Sequence, residues 1–128
     1  MAGNDNIKVV IKVRPLIKRE RDAKQTSQWR VQGDCIECTN PINSGYRFKF
    51  DEICDESSST HALYEKVAKP IVQSTINGFN GTIFAYGQTS SGKTHTMMGT
   101  QSQPGITPLS IREIFSGIDC HQERSFLL

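Results

Sequence analysis

The sequence predicts an α/β domain, and three observations carry that expectation. A β-branched stretch near the N-terminus, "IKVVIKVRPL" at 7–16, has the composition and alternation of a strand. Segments at 57–81 and 107–118 place apolar residues at helical spacing. Between them an apolar run, "GTIFAY" at 81–86, stops at a glycine and gives way to a loop and a helix start. Strand, loop and helix in that order are the repeating unit of α/β folds.

Composition excludes more than it selects. At 128 residues the chain fits a single domain. An apolar fraction of 36%, a charged fraction of 22% and a net charge of +2 are ordinary for a soluble globular protein and set up no field that would attract nucleic acid. No run approaches the roughly 20 apolar residues of a membrane helix. The first ten residues, "MAGNDNIKVV", lack the basic start and apolar middle of a signal peptide. These readings point to the cytoplasm, with neither nucleic acid nor a membrane as partner. Cys35, Cys38, Cys54 and Cys120 are therefore weighed as thiols. "CIEC" at 35–38 has the spacing of half a zinc site, but the other Cys–His pair, Cys120 and His121, is adjacent, so ordinary strand or turn cysteines are the better reading. "NGT" at 80–82 matches a glycosylation sequon that, without a secretory signal, reads as a tight turn.

Taken in order, the first strand alternates Ile7, Val9, Ile11 and Val13 with Lys8, Val10, Lys12 and Arg14, and Pro15 stops it. "KRERD" at 18–22 reads as a solvated loop, because Glu20 and Asp22 interrupt the positive charge. From Trp29 to Phe50, strand-like "WRV" and "YRFKF" separated by turn residues suggest a small meander, closed by "FDEI" at 50–53. Serines at 57–59 can cap a helix that carries Leu63, Val67 and Ile71 on one face and ends at Gly78. Pro70 lies inside it and predicts a kink or break near Lys69, since proline lacks a donor and meets the carbonyl one turn back. "GTIFAY" follows as a buried strand. A helix beginning at "KTHTMM" should be interrupted around "GTQSQPG" and resume through Leu109, Ile111, Ile114 and Phe115. "RSFLL" at 124–128 resembles a strand.

The stretch between that buried strand and the helix carries chemistry. Gly87, Gln88, Thr89, Ser90, Ser91, Gly92, Lys93 and Thr94 follow the pattern of glycine, four residues, glycine, lysine and a hydroxyl residue. The two glycines let the backbone curl around an anion with successive N–H groups facing it, and the next helix adds the positive end of its dipole. Lys93 offers a mobile charge to outer phosphates, and the Thr94 hydroxyl can complete a Mg2+ shell made mostly of water and phosphate oxygens. A chance match would seldom fall between an apolar strand and a helix start. Hydrolysis further needs a group to position water and an acidic residue on the magnesium side, which this loop does not contain.

Three blocks in this order, "IKVVIKVRPL", "FKFDEI" and "NGTIFAYGQTSSGKTHTMMG", resemble the start of a kinesin motor domain. The resemblance runs from Ile7 to the end, and "KVAKPIVQSTINGFNG" with "GITPLSIREIF" is most similar to the centromere-protein-E-like, kinesin-7 branch. It implies a P-loop NTPase-type head, a central and mostly parallel β-sheet flanked by helices, incomplete at the C-terminal side before the switch regions. It implies ATP or ADP with Mg2+ as ligands, and microtubules as partner of a microtubule-stimulated ATPase in the cytoskeleton. Kinetochore or spindle proteins are further partners implied by the branch. Arg14 and Pro15 match residues on the adenine side of the pocket, and His95 matches one packing near the same base. Lys12 stands where many kinesins carry arginine, and Phe79 matches an apolar position near the base that could equally be plain packing. The alternative function is a truncated nucleotide-binding or interaction module without turnover. A small phosphate-loop kinase fits less well, because more than eighty residues precede the loop.

Overall fold

The computed structural model describes residues 7–43 and 45–120, so "RSFLL" lies outside the described residues. The chain separates into two compact units, Met1–Ser57 and Ser58–Leu128.

In the first unit, β1 (Val10–Lys12) pairs in parallel with β5 (Glu52–Cys54), Ile11 opposite Ile53. The Val13 N–H donates to the Cys54 carbonyl at 2.8 Å, and the Val9 N–H to Asp51 Oδ2 at 2.7 Å. The strand expected over 7–16 is thus short, because its described ladder partner offers only three residues. The meander is present as β2 (Trp29–Gln32), β3 (Cys35–Cys38) and β4 (Arg47–Lys49), all antiparallel. Its register puts Trp29 opposite Cys38, and Ile36 opposite both Val31 and Phe48, giving one apolar face on which Ile36 and Cys38 are buried. Trp29 and Tyr46 flank Phe48 at ring distances of 6.3 and 6.4 Å. Cys35 and Cys38 sit three apart on one strand and so point to opposite faces, which does not suit a shared metal.

The charge run differs from its expected form. Lys18–Asp22 is a short helix, α1, and Glu20 accepts a hydrogen bond from the Ile17 N–H at 2.9 Å. A glutamate in the first turn reaches back to a donor that has no partner within the helix, and this turns a charged loop into a capped turn.

The second unit begins with one helical stretch made of α2 (Thr60–Leu63), a π-helical segment (Tyr64–Ala68) and α3 (Lys69–Ile76). Ser59 caps it, its hydroxyl accepting from the Ala62 N–H at 3.1 Å. Pro70 does not end the helical stretch, but the disturbance expected near Lys69 is present as a change from π-helical to α-helical turns at Ala68–Lys69, which puts Pro70 in the first turn of α3. The Lys69 N–H reaches the Tyr64 carbonyl, five residues back, and the wider turn absorbs the donor that proline lacks. The C-terminus closes in a Schellman arrangement, the Gly78 N–H donating to Thr75 O at 2.9 Å and the Phe79 N–H to Ser74 O at 3.1 Å. Gly78 takes φ +96°, which glycine adopts without strain. Leu63, Tyr64, Ala68 and Val72 form the buried face of this stretch. After α4 (Lys93–Met97), the long helix α5 (Ile106–Cys120) packs on α3, with Ile106 buried and Gly117 making room for Ile76.

Residues 81–86 depart from the expected buried strand. No described strand pairs with them, and Phe84 and Tyr86 are 81% and 95% exposed. A strand is made by its neighbour's hydrogen bonds, so an apolar run without a partner ladder remains irregular.

Candidate phosphate-binding site

The site is the turn that leads into α4. Gly87, Ser90 and Gly92 take φ values of +154°, +66° and +97°, so three of the six residues 87–92 have positive φ. Left-handed residues such as Ser90 and Gly92 set among right-handed ones are the backbone conformations from which anion nests are built. A side chain at Gly87 would meet Ser91, its Cβ 2.5 Å from Oγ and 3.2 Å from Cβ, and would be strained at φ +154°. Gly92 is the N-cap of α4, and its carbonyl accepts from the Thr96 N–H at 2.9 Å. The Ser91 N–H donates to the Gln88 carbonyl at 3.2 Å, holding the middle of the loop.

The Lys93 head group lies back on the start of the loop. Its ammonium donates to the Gly87 carbonyl at 2.7 Å and the Gln88 carbonyl at 2.8 Å, tying the end of the loop to its beginning. Two of its three N–H groups are engaged in this way. Thr94 and His95 follow on the first turn of α4, both exposed. Beyond α4 the chain makes a closed excursion. Gly99 bridges to Pro104, the Gly105 N–H donates to Met98 O at 3.0 Å, and the interruption expected around 99–105 is therefore a tight loop returning to the end of α4. A Cβ at Gly105 would meet the Met97 carbonyl at 2.5 Å.

Arg14 and Pro15 belong to the first unit. The Arg14 guanidinium donates to both carboxylate oxygens of Glu20, at 2.8 and 2.7 Å, and to the Pro15 carbonyl at 3.0 Å. This pairing, with the Ile17 N–H, holds the Glu20 carboxyl down at about 2, and the carboxylate in turn raises the Arg14 value. Glu20 is the residue that sequence reasoning missed. Its signal was a glutamate at the third helical position after a proline-terminated strand, masked by the surrounding charges.

The chain is similar to known proteins. The family model of the kinesin motor domain matches residues 12–128. Kinesin-related protein 4 of Dictyostelium discoideum is 48% identical over 95% of this chain and 6% of its own length. Centromere-associated protein E of Homo sapiens is 41% identical over 100% of the chain and 5% of its own length. Kinesin-like protein KIN-7I of Oryza sativa subsp. japonica is 43% identical over 97% of the chain and 10% of its own length. A solved structure of KIF14 with ADP in complex with a microtubule superposes with TM-score 0.82 at 35% identity, covering 91% of this chain and 34% of that one. The chain thus spans a tenth or less of these curated relatives and about a third of the solved neighbour. The expected α/β phosphate-loop fold and the kinesin resemblance are both borne out, and the chain belongs to the kinesin motor domain family.

Proposed function

We propose that residues 87–94 bind the phosphates of ATP and ADP together with Mg2+. In this reading the chain is the nucleotide-binding part of a motor whose ATP hydrolysis is stimulated by microtubules and coupled to movement along them. The observation that carries the reading is the loop itself, closed by glycines and tied at its mouth by Lys93. The third N–H of Lys93 suits a phosphate oxygen, and backbone N–H groups of the loop other than that of Ser91, which bonds the Gln88 carbonyl, would supply further donors. The exposed Thr94 hydroxyl has the oxygen-donor chemistry that Mg2+ takes, and the ion when bound would neutralise phosphate charge. Arg14, Pro15 and His95 are assigned to the base by resemblance to kinesins.

The relatives support the wider part of the reading, since KIF14 was solved with ADP on a microtubule and its fold is shared. Similarity to centromere-associated protein E supports placing the full-length protein on the cytoskeleton, with spindle or kinetochore partners. The test is steady-state ATP turnover by the chain alone and by the full-length protein, each with and without polymerised tubulin. Stimulation of the full-length protein by microtubules is the expected result. Saturable nucleotide binding with no turnover in either form would reduce the function to nucleotide capture, and no response to microtubules would remove the motor reading.

A further inference from the structure

We propose that the turn over 17–24, in the first unit, is a docking surface for an acidic segment of polypeptide. In sequence its charges are mixed, but folding sorts the signs. Glu20 is turned onto Arg14, accepting from the guanidinium at 2.7 and 2.8 Å, and onto the Ile17 N–H at 2.9 Å. Its charge is thereby neutralised within the fold, whereas Lys18, Arg19, Arg21 and Lys24 are all exposed, with Asp22 the one opposing charge beside them. No carboxylate among the described residues lies within ion-pair distance of Lys18, Arg19 or Lys24. Four cations thus stand over about 10 Å of chain, at a helical rise of about 1.5 Å per residue.

The end of α1 points the same way independently. It closes in a Schellman arrangement, the Gln25 N–H donating to Glu20 O and the Lys24 N–H to Arg21 O, both at 2.9 Å. The residue just past the cap in that motif is left-handed and usually glycine, because a side chain is strained there. Here it is Lys24, at φ +53°. A cation is kept where glycine would be more stable, and local strain of that kind points to a role for the charge. The class of partner follows from what else the turn presents. Ile17 is 46% exposed next to the cations, an apolar contact suited to polypeptide. Residues 17–24 hold no aromatic ring on which a base could stack, and Asp22 would stand against a phosphate backbone. One isoleucine is too little apolar surface to enter a lipid interface.

The test measures binding to the full chain by fluorescence anisotropy at about 50 and 300 mM salt. The labelled probes are decaglutamate, the same peptide with two central leucines, a single-stranded DNA of equal charge and phosphatidylserine vesicles. Both peptides should bind saturably, the leucine peptide more tightly, and both more weakly at the higher salt. Lys18→Glu/Lys24→Glu should weaken the leucine peptide roughly ten- to thirty-fold, since each reversal both removes an attraction and adds a repulsion. Lys24→Gly should weaken it about two- to five-fold while raising the melting temperature by a few degrees, a pairing that loss of an idle surface charge would not give. No binding by wild type, equal binding by the double reversal, or Lys24→Gly that binds like wild type or melts lower would each overturn the proposal. Tighter binding of the DNA or the vesicles than of the leucine peptide would overturn the class of partner. Should the double reversal lose its cooperative melt, Lys18→Gln/Lys24→Gln must show a loss of about three- to six-fold, and no loss overturns the proposal.

Discussion

Replacing Lys93 by alanine separates the two jobs its ammonium can do. The head group is tied to the Gly87 and Gln88 carbonyls, and both can turn to water when the side chain is lost, so the structural penalty is modest. A charge-assisted bond to phosphate has no such replacement and contributes about 1.5–3 kcal/mol. At one decade for each 1.4 kcal/mol, the dissociation constant for Mg·ATP should rise roughly 10- to 150-fold. Lys93→Arg keeps the charge but replaces a compact head with a planar fork, and should fall between wild type and alanine. Isothermal titration with Mg·ATP and Mg·ADP reads the affinity, and a thermal melt of each variant reads the structural part. Lys93→Ala with an affinity within about threefold of wild type and an unchanged melt would refute the assignment of this loop to phosphate.

Other positions carry independent expectations. Gly87→Ala should weaken triphosphate binding more than it lowers the melting temperature, because alanine is strained at φ +154° and its Cβ would displace Ser91 within the loop; equal effects measured by titration and melt would contradict this. Ser90 holds φ +66°, so Ser90→Val should destabilise by about 1–2 kcal/mol while Ser90→Gly is neutral or stabilising, and identical melts would show that the left-handed turn is absent. For pH, Glu20 has its value lowered from an ordinary 4.5 to about 2 by Arg14 and the Ile17 N–H. Its contribution is fully present above about pH 4.5 and is lost as pH falls through about 2. Glu20→Gln should therefore flatten the acid side of the stability profile in that window, as read by circular dichroism melts; an unaltered profile would mean the pair is not formed in solution.

The features legible in the sequence are those fixed by neighbours in the chain. The loop at 87–94 was readable because glycine spacing and the following helix start are local, and the Ser59 cap and the Gly78 terminus were readable for the same reason. The meander over 29–49 followed from alternation between turns. Residues 81–86 were misread because a strand depends on a partner that no local pattern announces. Pro70 announced a disturbance near Lys69, but not its form, a π-helical turn over Tyr64–Ala68 that changes the register just ahead of it. In the loop, the roles expected of Gly87, Gly92 and Lys93 come from residue type, but the tie from Lys93 back to Gly87 and Gln88 emerges only from folded geometry, as does the clasp of Glu20 on Arg14 in the first unit. Charge runs hide such partners, since Lys18, Arg19 and Arg21 surround Glu20 with equally plausible pairings.

The most direct test of the nucleotide site is a titration of the purified 128-residue chain with Mg·ADP and Mg·ATP, accompanied by a melt followed by circular dichroism. Saturable binding that raises the temperature of a cooperative melt is the expected result, because a ligand that binds only the folded chain must stabilise it. A cooperative melt unmoved by either nucleotide at saturating magnesium would contradict the assignment of residues 87–94 to phosphate.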